Sequence, residues 1–274
     1  MLETPVVSPN ELFSSGQIRL AELSVFNWGS FHGLHTAKID PDGTLITGDN
    51  GAGKSTLIDG LMALLLPSSK TSFNIAAAQG DRADRTLMSY IRGNYGKAHD
   101  GTETAILLKR SGATATALRA LYRADDGSEI TLAALFWITQ ASNSLSDLKR
   151  LFVVGKRDFR LEELLHLFGE GNARLLKQHL KEDPLVEAFD SFSEYQETYV
   201  RLLRMENRNA PALLSRALGL KKIDDLTSLI RDLVLEPSQV KEHARQAVSE
   251  FDDLVSRSSI HRRWRCKHPH GSAG

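Results

Sequence analysis

The chain has 274 residues and a mass of 30.3 kDa, with 34 Lys and Arg balanced by 34 Asp and Glu. Its 41% hydrophobic and 25% charged residues are typical of a soluble globular protein and exclude a fibrous or wholly disordered chain. Zero net charge gives no bulk attraction to nucleic acid, so any contact with DNA has to come from a local patch or from a partner.

The sequence of residues 1–17 does not predict a targeting signal. Residues 1–17 are polar, contain two prolines and read as a disordered leader rather than a signal peptide. The single cysteine, Cys266, excludes an internal disulfide, and the longest apolar runs, 61–66 and 132–138, are far shorter than the ~20 residues that span a bilayer. These features predict a cytoplasmic protein with no membrane partner.

The first half of the chain has the composition of short strands. Apolar runs at 18–26, 34–39 and 44–47 are separated by turn residues, and a helix is predicted over 54–66, where Pro67 ends it. Residues 68–100 read as a loop with one short helix. Strands are predicted at 103–110, 114–122, 129–139 and 148–154, with the first three in a meander; Asp125-Asp126-Gly127 is a hairpin turn.

The second half changes to helical periods. Helices are predicted at 161–168, 172–181, 192–205, 210–218 and 224–235. After Pro237, apolar residues recur at heptad spacing, which predicts either the start of a coiled coil over 238–256 or an ordinary amphipathic helix: Val240, Ala244, Ala247, Phe251 and Leu254.

The last residues, 257–274, contain arginines, three histidines and Trp264 but no acidic residue. One interpretation is a basic arm that grips phosphate while Trp264 stacks on a base. We favour the other, in which a helix entering a coiled coil is interrupted by truncation or a shifted reading frame. The predicted organisation is thus a leader (1–17), a β-rich lobe (18–158), a helical part (159–237), a coiled-coil start (238–256) and an atypical basic tail (257–274).

One motif carries chemistry. It fits G-x-x-x-x-G-K-[ST] and lies between a predicted strand and a predicted helix, the context that a phosphate-binding loop requires; its residues are Gly48, Asp49, Asn50, Gly51, Ala52, Gly53, Lys54 and Ser55. Glycines allow consecutive N–H groups to wrap the β-phosphate of ATP, and the start of the helix adds a positive dipole end. Lys54 is predicted to bind the β- and γ-oxygens, Ser55 to ligate Mg²⁺, and Thr56 to assist at the α-phosphate.

Hydrolysis by such a site needs more than this loop. A Walker B strand, which is an apolar run ending in Asp or Asp-Glu, holds the metal and polarises water. Neither the segment before Pro237 nor the segment after Pro184 has the length of a buried strand, and no Leu-Ser-Gly-Gly signature occurs. The sequence therefore predicts half of a nucleotide site, with little ATPase activity of its own.

These segments resemble the N-terminal lobe of SMC-type ATPase heads. The resemblance covers residues 18–255 and is carried by residues 27–31, the phosphate loop, residues 57–61 and the segment 82–93, which contains Ser-Tyr-Ile-Arg-Gly. It is closer to the MukB/MksB-like branch, and in particular to the JetC-type subunits of Wadjet anti-plasmid systems. It implies an α/β P-loop NTPase fold with a mixed β-sheet around the Walker A helix, followed by a helical segment that leads to a coiled-coil root.

The resemblance also implies function and partners. Two heads would sandwich two ATP molecules as a homodimer, with the Walker B and signature half supplied by a C-terminal lobe. Hydrolysis would drive DNA loop extrusion with kleisin and winged-helix subunits, and in Wadjet a topoisomerase-like nuclease cuts small circular DNA. By similarity, Gln140 matches a glutamine that coordinates Mg²⁺ and attacking water, and Arg85 an arginine that reaches the α-phosphate or DNA, a role for which Arg82 and Arg92 compete. Residues 27–31, including Asn27, match a stretch that borders the adenine, although Trp28 is as readily a core aromatic.

Three other hypotheses remain open. A DNA-repair ATPase of the RecF or RecN kind shares the lobe but differs in coiled-coil length. A non-catalytic, nucleotide-dependent interaction module would bind phosphate weakly and dock a partner through its helices. A transporter nucleotide-binding subunit is less favoured, because such chains usually complete Walker B within a similar length.

Overall fold

The computed structural model describes residues 17–68, 86–100, 103–169, 171–205, 207 and 209–219, without the side chains at 95–100, 103–106 and 216–219. The chain divides into two compact units, Met1–Lys221 and Lys222–Gly274. The second unit lies outside the described residues, and so do the predictions for 224–274, for the leader up to residue 16, and for Arg82 and Arg85.

Eight strands and six helices occur among the described residues. In chain order they are β1 (Ile18–Phe26), β2 (Leu34–Lys38), α1 (Lys54–Leu65), α2 (Leu87–Arg92), β3 (Asn94–Asp100), β4 (Glu103–Leu108), β5 (Thr114–Ala124), β6 (Glu129–Ile138), β7 (Lys149–Gly155), α3 (Leu161–Phe168), α4 (Ala173–Glu182), β8 (Val186–Phe189), α5 (Phe192–Leu202) and α6 (Ala210–Gly219).

The main sheet has six strands in the order β2-β1-β5-β6-β7-β8, and every pairing is antiparallel. The predicted mixed sheet is therefore wrong for the described residues. The meander is also shifted along the chain: it is formed by β5, β6 and β7, because β4 pairs with β3 in a separate two-stranded sheet. The region predicted as loop up to residue 100 contains the expected short helix, α2, but also the strand β3.

Two apolar layers cover the sheet. Alternate residues of β6, such as Leu132 and Phe136, face one buried cluster with α1, α2 and α5, while Leu135 and Trp137 face a second cluster with α3 and α4. Both faces of β6 are thus buried, which explains why its sequence is a continuous apolar run rather than an alternating one. Among the described residues no helix is long and apolar enough to cross a membrane.

The predicted boundary at 158/159 does not separate two cores. Strand β8, which follows that boundary, joins the edge of the main sheet beside β7, and helices α3 and α5 pack onto its two faces. The four-residue strand β8 lies between two helices, in a half of the chain for which the sequence predicts only helices. Residues up to 205 therefore complete the sheet rather than extend away from it.

The strand predicted at 44–47 makes no strand pairing in the described structure. The backbone groups of Leu45, Ile46 and Thr47 form no hydrogen bond with a described residue. Their side chains nevertheless alternate, because Ile46 packs against the buried cluster while Leu45 is 86% exposed. This segment has the side-chain pattern of a half-buried strand without a neighbouring strand.

Candidate nucleotide-binding site

The loop between residue 47 and α1 has the backbone that its glycines predicted. Gly48, Gly51 and Gly53 have φ values of 148°, 86° and 99°, all in the region that favours glycine. The N–H of Ala52 donates to the carbonyl of Asp49 at 3.1 Å, which closes a turn inside the loop. Side chains at these φ values would be strained, so the motif and its conformation agree.

Several main-chain donors of the loop have no acceptor in the described part of the chain. These are the N–H groups of Gly51, Gly53, Lys54 and Ser55. They cluster at the N-terminus of α1, where unpaired N–H groups and the helix dipole favour an anion. The Ser55 side chain is exposed, and its hydroxyl has no hydrogen-bond partner among the described residues. The arrangement is suited to bind phosphate oxygens and, through Ser55, a hydrated metal ion.

Lys54 closes the loop on itself. Its Nζ donates to the carbonyl oxygen of Gly48 at 2.6 Å and to that of Asp49 at 2.9 Å. The ammonium is therefore held across the beginning of the loop by two neutral acceptors. Because hydrogen bonds to an anionic phosphate are stronger than those to neutral carbonyls, phosphate oxygens would compete for this ammonium effectively.

The turn after β1 lies against the end of the loop. A Cβ added to Gly53 would be 3.0 Å from the Phe31 ring, and a Cβ added to Gly29 would be 2.6 Å from the Thr56 methyl group. Trp28 is fully buried and donates from Nε1 to the carbonyl of Thr56 at 2.8 Å, so it is a core residue of the described structure.

Asn27 stabilises the same turn. It has a left-handed φ of 50°, its Oδ1 accepts from the N–H of Gly33 at 3.0 Å, and its Nδ2 donates to the carbonyl of Ala115 at 3.4 Å. The side chain of Asn27 therefore stabilises the turn that lies against the loop. Its contact with a nucleotide stays a prediction.

Two cations that the sequence analysis missed fix the carbonyls of this turn. Lys109 donates to Ser30 at 2.9 Å, and Arg110 donates to Gly29, Phe31, Tyr90 and Ile91 through its guanidinium. Burial lowers the pKa of Arg110 from its ordinary value. No local motif marks these residues, because their acceptors lie far away in the chain.

Gln140 lies just beyond the end of β6 and is exposed. Its side-chain amide has no partner among the described residues, while its carbonyl accepts from Nη2 of Arg92 at 3.1 Å. Arg92 itself is 1% exposed, so the competing prediction that it reaches nucleotide or DNA is wrong. In the described residues no three His, Cys, Asp or Glu side chains form a metal-binding group.

The comparison with protein families agrees with the loop geometry. Residues 20–80 match the family model for the P-loop containing region of AAA domain. This match includes β1, the turn that follows it, the loop and α1. The chain thus carries the nucleotide-binding region of an α/β P-loop NTPase.

Proposed function

We propose that this chain is the ATP-binding N-terminal half of an SMC-like ATPase head, which needs a second lobe to hydrolyse ATP. One observation carries the proposal: a formed phosphate loop directly follows a strand-like segment, residues 45–47, whose backbone has no partner among the described residues. In P-loop enzymes this strand is buried in a sheet. A complementary lobe would supply strands beside it.

The roles of this chain's own residues follow from the site. The free N–H groups of the loop would bind the β-phosphate, Lys54 would exchange its two carbonyl acceptors for phosphate oxygens, and Ser55 would hold Mg²⁺. Gln140 would contribute its amide, which offers both an acceptor and a donor, to the metal and to water. When bound, MgATP supplies the reactive phosphoanhydride and the Lewis acid.

The remaining parts of the activity would come from partners. A C-terminal lobe would contribute the Walker B carboxylate and the signature segment, and ATP would join two heads into a homodimer. By similarity to SMC-like proteins, kleisin and winged-helix subunits, DNA and, in a Wadjet-type system, a topoisomerase-like nuclease would complete the machine. Plasmid defence and chromosome organisation are both outcomes of such DNA loop extrusion.

The proposal is tested by calorimetry of MgATP binding and by phosphate release from the purified chain. We expect binding by the wild type, no binding by Lys54→Ala, and unchanged binding by Lys177→Ala, whose lysine lies on α4 and pairs with Asp190. Turnover at or above ~1 s⁻¹, an ordinary enzyme rate, would contradict the half-site proposal. Unchanged binding by Lys54→Ala would contradict the site itself.

Electron microscopy of the native protein distinguishes the alternatives. Long paired rods with terminal heads are expected for an SMC-like protein. A compact particle that binds DNA would favour the RecF or RecN kind of repair ATPase. A particle that binds nucleotide but neither hydrolyses it nor contacts DNA would favour a non-catalytic interaction module.

A further inference from the structure

Helix α2 ends in a buried arginine that joins two loops. Arg92 donates from Nη1 to the carbonyls of Arg110 and Gly112, which precede β5, and from Nη2 to the carbonyls of Gln140 and Ser142, which follow β6. Each arm of the guanidinium thus binds one loop. A lysine could not do this, because its ammonium is a single point rather than a planar fork.

The charge of Arg92 is buried, and no carboxylate of a described residue forms an ion pair with it. Its Nε has no hydrogen-bond partner in the described part of the chain. Burying a guanidinium in this way is unfavourable, and desolvation lowers its pKa. An apolar residue could fill the same space, but it would leave these four carbonyls without their donor. The buried charge therefore serves to hold the two loops and not only to fill space.

The loop that Arg92 holds carries Gln140. The main chain of Gln140 is fixed twice, since its carbonyl accepts from Arg92 and also from the N–H of Ser142 at 2.8 Å. Its side-chain amide remains exposed and without a partner in the described structure. The fixed backbone therefore limits the positions that this amide can reach.

The same helix is anchored to the phosphate loop's helix. The hydroxyl of Tyr90 donates to the buried carboxylate of Asp59 on α1, and the carbonyl of Tyr90 accepts from the N–H of Gly29 at 2.8 Å. Arg92 lies two residues further along. Helix α2 therefore connects the loop that binds phosphate with the loop that carries Gln140.

We propose that Arg92 is a positioning residue, which fixes the backbone of Gln140 so that its amide can act on the Mg²⁺ of bound MgATP. The inference rests on the proposed function, because it assigns Arg92 a task only if nucleotide binds at the loop. The residue types fit such a group, since the Ser55 hydroxyl and the Gln140 amide have no partner among the described residues and oxygens of this kind can ligate Mg²⁺.

The test measures a magnesium ratio, defined as the ATP dissociation constant in EDTA divided by that in Mg²⁺. Arg92→Met fills the space but leaves four carbonyls without their donor, so its melting temperature is expected to fall, and binding is measured well below that temperature. We expect its magnesium ratio to fall about tenfold, as for the loss of an outer-shell partner of a metal ligand. Gln140→Ala should lower the ratio equally, and the double variant should lower it no further.

Matched variants separate positioning from packing. Arg92→Lys should lower the ratio like Arg92→Met, whereas Arg119→Lys, which changes another buried arginine on the opposite face of the sheet, should lower the melting temperature and leave the ratio unchanged. Unchanged ratios in Arg92→Met or in Gln140→Ala, or additive losses in the double variant, would overturn the inference. If both Arg92 variants unfold, unprotected amide exchange at residues 140–142 of the wild type would overturn it.

The failure of this inference can be told from failure of the proposed function. If the wild type binds no ATP, or if Lys54→Ala binds as well as the wild type, the proposed function fails. If the wild type binds ATP more tightly with Mg²⁺ and Lys54→Ala does not bind, but Arg92→Met keeps the full ratio, only the role of Arg92 fails.

Discussion

The ring of Tyr90 stacks on the ring of Trp28, with centroids 4.7 Å apart and planes inclined by 19°. Each of these two residues also binds α1, Trp28 through the carbonyl of Thr56 and Tyr90 through the carboxylate of Asp59. The stacked pair therefore joins the turn after β1 and helix α2 to the helix that begins at the phosphate loop. These contacts support the helix that begins at the phosphate loop.

Tyr90→Phe is expected to lower the free energy of unfolding by about 1–3 kcal/mol, because it removes a donor to the buried Asp59 carboxylate while keeping the stacked ring. Urea unfolding followed by tryptophan fluorescence measures this change. Tyr195→Phe is the matched control, since the buried Tyr195 hydroxyl has no hydrogen-bond partner in the described structure. An equal loss in both variants would contradict the assigned hydrogen bond.

Gly53→Ala should weaken ATP binding by at least tenfold and destabilise the fold by about 1–2 kcal/mol. The added Cβ meets a φ of +99° and lies 3.0 Å from Phe31, so that the N-terminus of α1 must shift. Gly33→Ala is the control, because its φ is +72° and nothing lies within 4 Å of an added Cβ. It should be destabilising without changing ATP affinity, and calorimetry that shows the same affinity loss for both would contradict this explanation.

Stability in acid should depend on Asp183. The N–H of Leu185, and then Arg157, hold the pKa of this carboxyl below its ordinary value of 3.8, against the opposing effect of burial. A folded-state pKa below the unfolded one means that the carboxylate stabilises the fold above about pH 4. This contribution is lost as the pH falls through the folded value.

Asp183→Asn should therefore be less stable than the wild type at pH 7, and the difference should shrink towards pH 2. Urea unfolding at a series of pH values measures it. Asp190→Asn, which affects an exposed pair with Lys177, should change stability by no more than about 1 kcal/mol. A difference between Asp183→Asn and the wild type that stays constant from pH 7 to pH 2 would contradict the linkage.

Leu45→Ser should change the stability of this chain by less than about 0.5 kcal/mol, because the side chain is 86% exposed. Ile46→Ser should be clearly destabilising, since Ile46 packs against the buried cluster. Thermal unfolding compares the two. A larger loss of stability in Leu45→Ser than in Ile46→Ser would contradict the alternation of residues 45–47. Normal assembly of a complete head by Leu45→Ser would contradict a partner strand beside this segment.

Strands, helices and turns could be predicted where residues close together in the sequence determine them. The strand 18–26 and the helix 161–168 coincide with β1 and α3, and the phosphate loop has the backbone that its glycines require. The hairpin at Asp125-Asp126-Gly127 joins β5 and β6, since its turn chemistry is contained in those residues. In each case the signal is periodicity or backbone preference within a few residues.

Long-range pairing was not predictable from the same information. Strand β1 lies between β2 and β5, which places residues about 100 positions apart in one ladder, and nothing local indicates this. Arg92 and Arg110 hold the segments around the site by donating to main-chain carbonyls. Every residue has such a carbonyl, so the sequence does not indicate which ones these arginines bind.

The main chain at residues 45–47, which forms no hydrogen bond with a described residue, has a practical consequence for handling the purified protein. Backbone amides without neighbours are the feature by which uncovered strands recruit copies of themselves into aggregates. Storage in dilute solution, or a lysine at position 45 to keep molecules apart, should extend the useful life of a preparation. A short peptide that stops such self-association would report which sequences can pair with residues 45–47.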